Sequence, residues 1–363
     1  MRLNEGRIGY AEGIAAAAAA VSVCAIFSVD PASAYTNGNS TYISIPLAAL
    51  ISLVPVLAVS RALERSGKGG LAEHLECAYG TAGAALFALP LTVSLLFCAA
   101  RPMTCFLDVL QSLIYDGVSY ASLAAFVFPV MALIAWKGFE SIGRLALIVS
   151  GLLVFSLVFA VASAAPSFET YRLYPLMGVG AARFTQFTAS ELMFTLTPMS
   201  ALLVCGKGLN GIAPMRKTAA AASIVSAAVC FSAQFAISLV YSYKGLTGLL
   251  MPLYRINFLS LAQSYALRLD KLFVMVWLSG AIVSSAYCVY AAARLHAGVF
   301  RERDITPAAA SFSLVVCAAV LAAARMDYTA VKTANGIMLR FGAALPTVTL
   351  TAALAKGRKE KKC

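Results

Sequence analysis

The chain has 363 residues, of which 61% are hydrophobic and only 12% charged, and its mean hydropathy is +0.83. So little polar surface excludes a soluble globule of this length and predicts a polytopic helical membrane protein. The net charge of +12 sits in short basic clusters between apolar runs, which reads as membrane topology and anionic-lipid contact rather than nucleic-acid binding.

Read in chain order with a window of roughly 19 residues, the sequence predicts ten spans: 9–29, 41–60, 81–100, 118–136, 143–163, 184–205, 217–242, 271–294, 306–324 and 336–355. The apolar runs are too long, and too free of alternation, for transmembrane strands. No stretch is polar enough for a separate soluble domain, so one membrane domain, 1–363, is expected. The first segment imitates a secretory signal, with Arg2, Arg7 and the small-residue run Ala32-Ser33-Ala34. Glu5 and Glu12 spoil its basic region, and it is read as a retained first span.

Lysine and arginine set the orientation. With the N-terminus in the cytoplasm, 18 of the 28 fall on inner connections and the tail, and the other 10 on outer connections or outer span ends. Both termini are therefore expected inside, which an even number of spans allows. Pairing span one with six, two with seven and onward gives offsets of about 175–195 residues, the arrangement of an inverted repeat. The halves are 9–163 and 184–355. Residues 61–80, with Leu71, Leu75 and Tyr79 on one helical face, form an amphipathic inner linker, and 243–270 is its outer counterpart.

Span six carries the most unusual chemistry. FTQFTASELMFTLTPMSALLVC places Glu191 near mid-span and Pro198 two turns later, amid the hydroxyls of Thr185, Thr188, Ser190, Thr195 and Thr197. A charge there costs roughly 2.5–3.5 kcal/mol on insertion scales and ordinarily faces a cavity or a partner. In inverted-repeat carriers the ligand lies between the interrupted first spans of each half. That predicts a break in span six at Ala189-Ser190 or Thr197-Pro198. In span one the corresponding residues are Ser22, Val23, Cys24 and Ala25, followed by Asp30-Pro31 and the helix-poor TNGNST. Glu191 has three readings: a ligand contact, a proton carrier, or a helix lock paired with Arg101 or Arg144. Ser284 and Ser285 of span eight are candidates for an ion site, or bond to their own backbone. Trp277 reads as an aromatic-belt residue.

Nine cysteines fall mostly inside spans, as small buried side chains, and match no zinc spacing. Cys363 ends a lysine-rich tail without a prenylation motif. With no Ser-His-Asp set, metal cluster or phosphate-binding glycine loop, the chain reads as a non-enzyme without cofactor.

Several stretches resemble one family. Trp136-Lys137-Gly138-Phe139-Glu140-Ser141-Ile142-Gly143-Arg144 is similar to the KGLE-x-IAR stretch of endospore germination permeases, the B subunits of nutrient germinant receptors. Tyr174-Pro175-Leu176, Ser190-Glu191-Leu192, Leu253-Tyr254-Arg255-Ile256 and Phe273 to Gly280 leading into Tyr287–Tyr290 follow in the same order. The alanine tract Ala15–Ala20, and Pro102-Met103 after Arg101, depart from the pattern.

The resemblance implies a leucine-transporter-like fold of the amino acid–polyamine–organocation superfamily in a spore inner membrane or cytoplasmic membrane. It further implies a small nutrient, often an amino acid, held near Ser22–Ala25 and Thr188, Ser190, Glu191 and Thr195. A membrane-bound A subunit and a C lipoprotein are the implied partners. The alternative left open is a stand-alone proton- or sodium-coupled amino acid transporter.

Overall fold

The computed structural model describes residues 8–27, 37–66, 70–209, 212–246, 249, 251–261, 269–326 and 328–356. The helices are α1 Tyr10–Phe27, α2 Thr41–Ser66, α3 Leu71–Val109, α4 Tyr120–Lys137, α5 Phe139–Ala164 and α6 Ala181–Val204 in the first part of the chain. They continue as α7 Ile212–Val240, α8 Pro252–Leu261, α9 Leu269–Phe300, α10 Thr306–Ala323, α11 Tyr328–Gly342 and α12 Ala344–Lys356. Among the described residues ten stretches are long and apolar enough to cross a membrane, and each overlaps one predicted span. Ala32-Ser33-Ala34, Asp30-Pro31 and Cys363 lie outside the described residues.

Alanine-rich and leucine-rich runs favour helix through low side-chain entropy cost, and punctuation residues divide them. Between α4 and α5 the divider is Gly138, whose φ of 90° and ψ of −178° suit a residue without a Cβ. Its N–H donates to Ala135 O at 3.3 Å and closes α4, while its own carbonyl accepts from Ile142 to open α5. Span ten is two helices. Pro346 has no N–H to give Gly342, so α11 stops there and α12 restarts at Ala344. The 61–80 linker is mostly helical: α2 runs to Ser66, and residues 71–79 enter α3 through a break at Gly80. Leu71 and Leu75 are buried, and Tyr79 OH donates to Ala352 O at 2.9 Å, so the expected amphipathic face docks on α12. TNGNST is not wholly irregular, since Gly38–Ser40 form a 3-10 turn that feeds α2.

Helix contacts repeat between the halves. The pairs α3–α9, α2–α7, α1–α6 and α4–α10 each join a helix to its counterpart. Three further contacts come in matched sets: α2 packs on α6 as α7 packs on α1, α12 on α3 as α5 on α9, and α4 on α9 as α10 on α3. An inverted repeat requires this reciprocity. Helix α1 is the axis of the bundle, with Ala15 through Phe27 buried. The outward faces of α4, α5 and α10 present Phe126, Ile148, Phe155 and Leu314, side chains suited to acyl chains.

The cations also sort by end. The Ile8 N–H donates to Gly208 O at 3.0 Å, Arg216 pairs with Glu64 at 3.3 Å, and Arg294 pairs with Glu73 at 3.1 Å. Together with the Tyr79–Ala352 bond, these contacts gather residues of α1, α2, α3, α7, α9 and α12 at one basic end of the bundle. At the opposite end, Arg172 ties the segment before α6 to α7 by donating to Val240 O.

Candidate functional site

Helices α1 and α6 cross at the centre of the bundle and touch directly. Both run without a break, contrary to the expected interruption at their midpoints. In α1 the alanine tract is the best of helix formers and is held by neighbours on all sides. In α6 the hydroxyls that suggested a break bond back to their own helix. Thr188 donates to Phe184 O at 2.8 Å, Ser190 to Phe187 O at 2.7 Å and Thr195 to Glu191 O at 3.3 Å. Such back-bonding satisfies the hydroxyl without opening the helix. Pro198 leaves Phe194 O without its usual donor, yet the helix continues to Val204.

Glu191 is 2% exposed, and its Oε2 has no hydrogen-bond partner among the described residues. Its field reaches the Cys230 thiol of α7, and Ser22 of α1 also acts on that thiol. The structure thus brings Ser22, Glu191 and Cys230 together from three helices. Arg101 of α3 acts electrostatically on Glu191 and also on Asp108. No Arg101–Glu191 ion pair forms within 4.0 Å, so the guanidinium and the carboxyl lie in electrostatic reach but out of contact. Arg144 is elsewhere: its exposed guanidinium pairs with Glu140 one turn away, which rules it out as the partner of Glu191 in this structure.

A group of thiols lies beside this junction. Cys24 Sγ donates to Cys98 O at 3.4 Å, and Cys98 Sγ donates to Met193 O at 3.6 Å. The Cys24 thiol also meets that of Cys288, and the Cys98 thiol meets the Thr197 hydroxyl. Cysteines of α1, α3 and α9 therefore converge with α6 where Val23, Cys24 and Ala25 were expected to line a site. Composition alone made them ordinary buried residues. A positional signal existed, because Cys98 and Cys288 differ by 190 residues (288 − 98), within the offset that pairs the halves. Among the described residues no group of His, Cys, Asp or Glu is arranged to hold a metal ion.

In α9, Ser285 Oγ donates to Ala99 O of α3 at 2.8 Å, a bond between helices rather than within one. Ser284 Oγ is buried and has no partner among the described residues. Trp277 corrects an expectation. It is fully buried, not in an interfacial belt, and its Nε1–H donates to Ser156 Oγ of α5 at 2.8 Å. Phe27 packs on its ring at a centroid distance of 4.9 Å. An indole can be buried once its N–H has a partner.

This architecture is the leucine-transporter-like fold. A Na+-coupled sialic acid symporter, solved substrate-bound and outward-open, aligns with a TM-score of 0.65 and 14% identity, over 95% of this chain and 79% of that one. Mhp1, a nucleobase-cation-symport-1 family transporter in a closed conformation with bromovinylhydantoin bound, aligns with a TM-score of 0.64 and 12% identity, over 98% and 92%. A manganese transporter of Eremococcus coleocola aligns with a TM-score of 0.57 and 11% identity, over 94% and 76%. No curated protein matches the chain by sequence. The family model of spore germination proteins, however, matches residues 17–329. The chain belongs to that spore germination protein family.

Proposed function

We propose that this protein is the membrane-embedded nutrient-sensing subunit of a spore germinant receptor, taking a small amino acid or similar nutrient between α1 and α6. The observation that carries the reading is the buried Glu191, with one carboxylate oxygen unpartnered and Arg101 in electrostatic reach but out of contact. A zwitterion complements that pair: its ammonium donates to Glu191 Oε2, and its carboxylate faces the Arg101 guanidinium. Cys230 of α7 lies in electrostatic reach of the carboxylate, and Ser22 of α1 lies beside that thiol. Membership of the spore germination family supports a trigger of germination as the output, with an A subunit and a C lipoprotein as partners.

The test is a thermal-shift screen of the purified chain against the common amino acids, followed by Glu191→Gln and Arg101→Gln. A nutrient that raises the unfolding midpoint of the wild type should lose that effect in both variants. A nutrient shift retained in both would sink the site, and isolation from spores without A-type or C-type partners would sink the receptor role.

A second reading, a proton- or sodium-coupled amino acid transporter acting alone, draws on the unpartnered Ser284 hydroxyl of α9, a helix packed on α1. The Na+-coupled symporter of similar fold supports it by architecture. Labelled amino acid uptake into proteoliposomes, driven by a sodium or proton gradient, distinguishes this reading from sensing.

A further inference from the structure

Near the basic end of the bundle, α2 and α12 border an open cavity of about 570 Å³ lined by Ala58, Arg61, Ala62, Arg65, Thr351, Leu354 and Ala355. None of its lining residues belongs to α1 or α6, and its chemistry differs from that around Glu191. Arg61 and Arg65 are one turn apart and exposed. Arg216, Arg294 and Arg301 at the same end each have a carboxylate, Glu64, Glu73 and Glu76 respectively. Among the described residues Arg61 and Arg65 form no ion pair; Glu64, which lies between them in sequence, is paired with Arg216. Two like charges one turn apart repel. The C-terminal end of a helix favours cations, which accounts for arginines there. It does not account for their bordering a cavity with an apolar floor.

The face of α2 that leads to the cavity supplies the rest of the argument. Leu47, Leu50, Ile51 and Val54 are exposed along one stripe, which continues through Ala58 to Arg61 and Arg65 at helical spacing. From Leu47 to Arg61 the helix rises about 21 Å, enough to cross the hydrocarbon of one leaflet, roughly 15 Å. An apolar track one leaflet long, ending on two guanidinium groups without carboxylates, has the shape and polarity of a phospholipid. Thr351, which lines the cavity, donates its hydroxyl proton to Val348 O at 3.0 Å, so toward any ligand its hydroxyl is left as an acceptor, suited to a head group with hydroxyls.

We propose that this cavity is a phosphate site for an anionic phospholipid of the surrounding leaflet, with Arg61 and Arg65 on the phosphodiester and an acyl chain along Ala58, Val54 and Leu47. The full-length protein, stripped of lipid in detergent, is to be titrated with phosphatidylglycerol, with phosphatidylcholine of the same acyl chains, and with inorganic phosphate. Bound lipid is read by native mass spectrometry. Phosphatidylglycerol should be retained and phosphatidylcholine not. Each basic residue at an anionic surface contributes roughly fivefold, so Arg61→Gln/Arg65→Gln should weaken retention on the order of 30-fold. Arg61→Lys/Arg65→Lys should keep most of it, and Arg303→Gln, an exposed cation beyond the end of α9, should change nothing. Ala58→Phe fills the groove while keeping both charges and should also lose the lipid, which guards against a misfolded double variant. Equal retention of the two lipids, or undiminished retention in the Gln/Gln and Phe variants, overturns the proposal. Displacement of the lipid by millimolar inorganic phosphate overturns the lipid as occupant and leaves a free-anion site.

Discussion

The Arg294 guanidinium donates to Glu73 Oε1 at 3.1 Å and joins α9 to α3 at the basic end, with the arginine side chain only 4% exposed. Removing one member of a buried pair leaves an uncompensated charge, at a cost of about 3–5 kcal/mol. Because the Glu73 side chain is a quarter exposed, Arg294→Ala should fall near about 3 kcal/mol. Glu73→Gln/Arg294→Met, which leaves no stranded charge, should recover most of the loss. Thermal unfolding in detergent as a double-mutant cycle measures both.

One turn further along α9, Gly298 sits where a Cβ would lie 2.4 Å from Ala72 Cβ of α3. No side-chain rotation relieves that overlap, so Gly298→Ala must push the two helices apart. A loss of about 1–3 kcal/mol is expected, the range for overpacking. Ala72→Gly in the same chain should restore stability, because it removes the atom that collides. A double variant no more stable than Gly298→Ala alone would show that the helices meet differently.

The two tryptophans report burial independently, since Trp277 is fully buried and Trp136 is 58% exposed. Trp136→Phe should leave a single blue-shifted emission that aqueous iodide does not quench. Ser156→Ala removes the acceptor of the indole N–H and strands a buried donor, for a loss of about 1–2 kcal/mol. Chemical or thermal unfolding followed by that same emission gives the value.

Asp304, outside the spans, accepts from the Thr306 hydroxyl at 2.6 Å and from the Thr306 N–H at 3.0 Å, and these bonds hold its carboxyl below the usual aspartate value. A depressed carboxyl contributes order above its unfolded pKa of about 3.9 and loses it as pH falls through the lower folded value. Hydrogen exchange at the start of α10, corrected for intrinsic rates, should therefore accelerate only below about pH 4. Asp304→Asn keeps an acceptor oxygen and should flatten that dependence.

The span pattern was legible because hydropathy is a local property, and the offsets between spans carried the two-fold plan of the halves. What sequence reading missed depends on neighbours from elsewhere in the chain. Trp277 resembles a belt residue until Ser156, 121 positions away, is seen to accept its N–H. Thr188, Ser190 and Thr195 suggested an opened helix because hydroxyl content says nothing of direction, and each turns back on its own backbone. Arg144 and Arg101 were equal candidates to face Glu191; only the packing of α3 on α6 separates them. Glu191 itself was identifiable by cost alone, since a carboxylate in an apolar run demands a reason.

The alanine tract at the axis of the bundle has a mechanical consequence. Ala15 through Ala20 are all buried, and alanine has no χ angle to reset. Most buried helices key into their neighbours by branched side chains, so an axial shift forces many rotamers to change together. Along these turns α1 is instead a smooth rod. A displacement along its own axis changes no rotamer of its own there and meets only the side chains that press on it. The central helix that packs directly on α6, the helix of Glu191, thus adds little resistance of its own to sliding along these turns.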